Sequence, residues 1–147
     1  TMTTLSMPSL AAVLTPFPYY IDYMASIDEA RTSMKTHDIR HLVVMKEGDI
    51  YSVISDREIQ HHAALYGVDR HSDLKVNDIC VNNAVVADIN DPLDKVLETM
   101  AEHHLGCVVI LRHGELAGVF TSTDACIHFS RFLKEVCPHD EPPDMIA

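Results

Sequence analysis

Two stretches carry the same polar pattern at the end of an apolar run. They are Ser55-Asp56-Arg57-Glu58 after Val53-Ile54, and Thr121-Ser122-Thr123-Asp124 after Val119-Phe120. A hydroxyl followed three residues later by an acid is the signature of a capping box. There the Ser or Thr side chain accepts from the N3 amide, and the acid accepts in return from the N-cap amide. The same geometry can serve a ligand. A carboxylate at a helix start beside a cleft accepts hydrogen bonds from a vicinal diol such as a ribose, while the free N–H groups of the helix N-terminus favour a nearby phosphate. Spacing alone leaves both roles open; of the two acids, Glu58 fits the capping role better than Asp124.

The other chemistry-bearing residues form no comparable pattern. His61-His62, His71 and His103-His104 include adjacent pairs that point to different sides of a helix, and no H-E-x-x-H spacing occurs. They are therefore expected to be solvated side chains on the protein's exterior, and no metal site is expected. There is no G-x-S-x-G, and none of the four cysteines (Cys80, Cys107, Cys126, Cys137) belongs to a C-x-x-C pair or a recognisable nucleophile setting. The thiols read as small buried hydrophobes in a reducing cytoplasm, and no catalysis is expected of the chain.

Composition narrows the partners. Eleven Lys+Arg against 22 Asp+Glu leave a net charge of −11 over 147 residues. Such a surface repels phosphate backbones and anionic lipids, so neither nucleic-acid backbones nor membrane surfaces are expected partners. No basic residue precedes Arg31, so the early apolar stretch lacks the n-region of a signal peptide. Uninterrupted apolar runs such as residues 107–111 are strand-sized, too short to cross a bilayer. A hydrophobic share of 47% is ample for a core and argues against disorder.

The elements that position the two motifs repeat along the chain. At a constant offset of 66 residues, Ile27-Asp28 aligns with Leu93-Asp94, Met34 with Met100, His37 with His103, Val43 with Val109, Gly48 with Gly114 and Val53 with Val119. Each copy reads as a short extended piece (Tyr19, Tyr20, Ile21; Val85, Val86, Ala87) and a polar helix start (Ser26; Asp91-Pro92, with Asp91 as N-cap). An amphipathic helix, an apolar strand, a Gly-bearing hairpin turn (Glu47-Gly48; His113-Gly114), a second strand and a closing helix follow. The expected fold is thus α+β, two tandem β-α-β-β-α repeats. The repeats are assigned to residues 10–66 and 76–137, with an N-terminal extension (1–9), a linker (67–75) and a flexible tail (138–147). Neither small sheet can bury its face alone. Packing the two about a pseudo-twofold axis generates two related clefts, one beside each Ser/Thr-x-x-acid motif.

These residues carry a resemblance. Ile39-Arg40-His41-Leu42-Val43-Val44, Gly48 and Val53-Ile54-Ser55-Asp56-Arg57-Glu58-Ile59 look like the core of a cystathionine-β-synthase (CBS) domain. Gly106-Cys107-Val108-Val109-Ile110, Gly114 and the stretch from Gly118 to Asp124 are similar, and Leu14-Thr15-Pro16 resembles the family's Met-Thr-Pro opening. A tandem CBS pair, or Bateman module, implies a regulatory unit that binds AMP, ADP, ATP or S-adenosylmethionine and passes the signal to an unknown regulated protein. By position the resemblance assigns ribose to Thr121 and Asp124, with Ser55 and Glu58 as their first-copy equivalents. It assigns the adenine slots to Tyr19, Tyr20, Ile21, Val85, Val86 and Ala87, and phosphate to Arg40, His41 and Arg57.

The two copies differ. The first has the basic pair Arg40-His41 but the longer acid Glu58; the second has Asp124 but Gly106-Cys107 in place of the basic pair, and so lacks local cations. Small Gly118 and Ala117 are expected to leave room beside Asp124, and the missing cations to favour AMP or adenosine over ATP. A homodimer is expected from the apolar helix faces. The alternative is a structural homodimerisation module with vestigial clefts that bind no nucleotide.

Overall fold

The computed structural model describes residues 5–67, 73–80 and 84–139. Its elements run α1 (Leu10–Val13), β1 (Thr15–Pro16), β2 (Tyr20–Asp22), α2 (Ile27–His37), β3 (His41–Lys46), β4 (Asp49–Ser55) and α3 (Asp56–Tyr66). Then come α4 (Val76–Ile79), β5 (Val86–Asp88), α5 (Leu93–His103), β6 (Cys107–Arg112), β7 (Glu115–Thr121) and α6 (Ser122–Val136). The fold is α+β, and the 66-residue offset reappears in space. β2 pairs in parallel with β3 at Tyr20↔Val43, and β5 with β6 at Val86↔Val109; both hairpins carry a register shift at the same place, Val44/Met45 and Ile110/Leu111. The hairpin turns have positive φ at both central residues (Glu47 52°, Gly48 85°; His113 51°, Gly114 77°), the geometry that matches the twist of the flanking strands.

Strand alternation divides each sheet into two faces. Leu42, Val44 and Ile54 face α2 and α3 in one core, and Val108, Ile110 and Phe120 face α5 in the other. Val43 and Val109 are fully buried yet belong to neither core. They lie on the opposite sheet faces, along the seam where the motifs sit.

The repeats exchange their opening helices. Leu10 and Val13 of α1 are buried in the second core, and β1 adds antiparallel to β7 (Thr15↔Val119, Pro16↔Gly118), making a four-stranded sheet β1-β7-β6-β5 beside the three-stranded β2-β3-β4. Reciprocally, Val76 and Cys80 fill the first core, and the Val76 amide donates to the Ala25 carbonyl. The stretch of sequence that repeats is therefore not the unit that packs. One local expectation is corrected: Asp91 does not cap α5. Its carboxylate accepts from the Asp88 amide, and Pro92 occupies the N-cap position without a side-chain hydrogen bond.

Candidate functional site

Both motifs form complete capping boxes. Ser55 ends β4 and caps α3: its hydroxyl accepts from the Glu58 amide at 3.1 Å and donates to Glu58 Oε1 at 3.0 Å, while the Ser55 amide donates to the same oxygen at 3.2 Å. Thr121 ends β7 and caps α6 with matching distances of 3.1, 3.1 and 3.0 Å to Asp124. The capping reading thus holds for both acids, Asp124 as well as Glu58. Neither carboxylate is withdrawn from the seam by capping, since each is only half-buried.

The second motif has one more partner. The Thr15 hydroxyl of β1 donates to both Asp124 oxygens, at 3.0 and 3.1 Å, across 109 residues of sequence. The Asp124 carboxylate is thereby held from two elements, with its orientation fixed. At the 66-residue offset the residue opposite Thr15 is Val81, which has no hydroxyl. This Thr15–Asp124 pair escaped the reading of the sequence. Its signal was there, in a Thr-Pro opening present in one copy and absent from the other.

Two cavities flank the seam. The one at Asp124, about 630 Å³, is walled by Thr15, Phe17, Tyr19, Val43, Val53, Val119, Thr121 and Thr123, with Asp38, Arg40 and His41 also at its edge. The one at Glu58, about 500 Å³, is walled by Ser55, Arg57, Val85, His104 and Gly106, and again by Arg40 and His41. Both volumes lie in the range of small-molecule sites. The expectation that the Asp124 cleft lacks cations is corrected. Arg40 and His41 open β3 at the seam, so they line both cavities, whereas Arg57 lines only the Glu58 cavity. The Asp124 cavity nonetheless sets one guanidinium beside the carboxylates of Asp38 and Asp124, while the Glu58 cavity sets two, Arg40 and Arg57, beside those of Asp56 and Glu58.

The residues expected to line the base slots divide between cavity and core. Tyr19 lines the Asp124 cavity and Val85 the Glu58 cavity. Ile21 packs on the first core and Ala87 on the second, and Val85 touches that second core as well. Tyr20 is an exposed edge residue that walls neither cavity, and Val86 lines other hollows. Tyr19 is held by His37, whose ring stacks on it at 3.7 Å between centroids and 12° between planes. His37 and His41, four residues apart, thus lie on different elements and serve different contacts. Among the described residues, no three His, Cys, Asp or Glu side chains converge as metal ligands would.

The room expected beside Gly118 is also corrected. A Cβ on Gly118 would lie 2.5 Å from the Thr15 carbonyl oxygen and 2.8 Å from Leu14 Cδ1. The space is filled by β1. The equivalent position holds buried Ser52, whose neighbour in place of Leu14 is the smaller Cys80, to which its side chain hydrogen-bonds. Large against small in one repeat answers small against small in the other. A similar fit occurs at the seam, where a Cβ on Gly106 would come within 3.2 Å of His41 Nε2.

Burial sets the ionisation of the seam. The Cys107 thiol is pushed up to about 12 by desolvation and then by the Asp124 charge, so it stays protonated at neutral pH. Burial alone pushes the His41 imidazole below its ordinary value of 6.5. The unfolded chain then takes up a proton at His41 that the folded chain refuses, so stability is full above pH 6.5 and falls as pH drops from there toward the lowered value. His41→Gln should flatten this part of the denaturation profile between about pH 5 and 7, the range in which an ordinary histidine titrates. Equal slopes in the two proteins would contradict the burial argument.

The family model described as "CBS domain" matches this chain twice, over residues 10–64 and 76–130. The chain belongs to the CBS-domain family. It carries a CBS pair, and the repeats found at the 66-residue offset are its two domains. A curated relative, the CBS domain-containing protein YhcV of Bacillus subtilis (strain 168), is 23% identical over 103 residues, 70% of this chain and 72% of the relative. Among solved structures, an uncharacterized conserved protein from Pyrococcus horikoshii is similar over 97% of this chain and 100% of its own, with a TM-score of 0.75 at 24% identity. The CBS domain pair of protein MJ0100, in complex with 5′-methylthioadenosine and S-adenosyl-L-methionine, matches 86% of this chain and 99% of its own, with a TM-score of 0.76 at 22% identity. No helix among the described residues is long and apolar enough to cross a membrane.

Proposed function

We propose that this CBS pair is a regulatory module that senses an adenosine-containing ligand in the Asp124 cavity and catalyses nothing itself. The observation that carries the reading is the Asp124 carboxylate, oriented by Thr15 and Thr121 on the wall of a cavity that also contains Arg40 of the other repeat. In this reading, Asp124 and Thr121 hold the ribose diol, Tyr19 borders the base, and Arg40 meets a phosphate. Ligand would then bind elements of both repeats together. An occupant that contacts both favours the arrangement in which they are closest, and this differential affinity is what a partner protein would read. The uptake of two adenosine-containing molecules by the MJ0100 pair supports the ligand class.

Charge favours one phosphate over three. The single Arg40 guanidinium faces two carboxylates, and each further unpaired charge in a partly dry cavity costs on the order of 1 kcal/mol or more. Calorimetric titration with AMP, ADP, ATP and S-adenosylmethionine should give saturable heats, with AMP tighter than ATP. Absence of heat with all of them would contradict the sensing role.

The apolar face of α6 favours assembly. The helix has no buried residue, yet it exposes Ile127, Phe129, Phe132, Leu133 and Val136. In this reading two copies pair through that face. A patch of about 800 Å² per partner is what a stable interface needs. Light scattering should report about twice the chain mass of 16.4 kDa, and Phe129→Asp with Phe132→Asp should return it to one. A single-chain mass at every concentration of the unmodified protein would exclude the dimer.

A further inference from the structure

Five non-glycine residues among those described have positive φ. Asp38 and His104 are the C-caps of α2 and α5, and Glu47 and His113 open the hairpin turns, places where left-handed backbone is expected. Phe17, at φ 51°, fits neither case. It is a bulky apolar residue held between Pro16 and Pro18 in a conformation that favours Gly or Asn, and it is 91% exposed, bordering the Asp124 cavity and a smaller hollow beside α1. Folding gains little from this arrangement, for the side chain buries almost no area while the backbone carries strain. Such strain, kept where nothing in the free protein repays it, marks positions held for a ligand.

We infer that Phe17 is a specificity-determining residue that covers the planar heteroaromatic base of the ligand. The inference rests on the Asp124 cavity taking an adenosine-type ligand. Tyr19, two residues on, lines the same cavity and is immobilised by the His37 ring at 3.7 Å. The base thus has one aromatic neighbour already fixed and a second waiting at the rim. Covering the base removes from water both its face and an exposed phenyl ring, so binding recovers apolar burial that folding left undone. Sugar and phosphate, held by Asp124, Thr121 and Arg40, gain nothing from Phe17. The residue therefore selects for the base and leaves affinity for the remainder unchanged.

AMP and ribose 5-phosphate separate the two contributions. Calorimetry on the full chain should show Phe17→Ala weakening AMP about tenfold, the usual scale of base stacking on an aromatic ring, with ribose 5-phosphate unaltered. Phe17→Gly should weaken AMP equally while raising the melting temperature, because it relieves the backbone; loss of affinity together with a gain in stability is an outcome that a merely structural residue does not give. The chain has no tryptophan, so Phe17→Trp supplies a single indole whose emission should change with AMP and stay constant with ribose 5-phosphate. Unaltered AMP affinity in Phe17→Ala, or equal losses for both ligands, would overturn the inference and leave the cavity's ligand class standing. No AMP binding by the unmodified protein would overturn the ligand class and the inference with it.

Discussion

Asp124→Ala should weaken AMP binding by about 100-fold or more, the loss expected when two charge-assisted hydrogen bonds to a diol disappear at roughly 1.5 kcal/mol each. The carboxylate is unusual in this chain because donors from two elements fix it: Thr15 Oγ1 on both oxygens, and the amide and hydroxyl of Thr121 on one. A diol arriving at the cavity meets an acceptor whose orientation has already been set, which lowers the ordering cost of binding. The same substitution removes the acid of a capping box and should cost about 1 kcal/mol of stability, so circular dichroism and a melting curve must accompany the titration. Asp124→Asn separates the two effects, since it keeps the shape and most of the cap while removing the charge. Glu58→Ala should do far less to AMP, because among the described residues Glu58 is held by Ser55 with no counterpart of Thr15, and the residue 66 positions after Thr15 in the sequence is a valine without a hydroxyl. AMP affinity that survives Asp124→Ala and vanishes in Glu58→Ala would move the site to the first repeat.

Gly118→Ala should destabilise the fold by about 1–3 kcal/mol, a large share of the 5–15 kcal/mol typical of such a domain. The obstacle is backbone. The new methyl group would stand 2.5 Å from the Thr15 carbonyl oxygen, and a carbonyl cannot rotate away as a side chain can. Relief requires β1 to lift from β7, which gives up the Pro16↔Gly118 pairing and draws Leu14 and α1 from the second core. Because Thr15 moves with β1, the variant should also lose AMP affinity. Guanidinium denaturation should show a lower midpoint in Gly118→Ala, and Leu14→Ala in the same background should restore little, since the side chain is the lesser obstacle. A midpoint equal to that of the unmodified protein would show that β1 is not seated on Gly118 as described.

What was legible in the sequence was local. The hairpins could be read because alternation and the turn pairs Glu47-Gly48 and His113-Gly114 act over a few residues, and the duplication because 66-residue spacing survives substitution. The helix exchange was not legible. β1 is two residues long, too short for any periodicity, and its partner Val119 lies about a hundred residues away. The same distance hid the Thr15–Asp124 pair, although both residues stood in recognisable motifs. Arg40 and His41 were placed at one cleft only, for another reason. Counting cations per repeat assigns them to the first cleft, but side chains that begin a strand at a pseudo-twofold seam border both clefts.

The central claim is that one ligand is held by both repeats at once, through Asp124 of the second and Arg40 of the first. The most direct measurement is the ratio of AMP to adenosine affinity, by calorimetry, in the unmodified protein and in Arg40→Ala. If Arg40 meets the phosphate of a ligand whose ribose rests on Asp124, AMP should bind about tenfold or more tighter than adenosine, the scale of one charge-assisted contact. Arg40→Ala should then bring the ratio close to one with adenosine affinity unchanged. A ratio that stays the same in Arg40→Ala, in a protein whose adenosine binding requires Asp124, would contradict a site shared between the repeats.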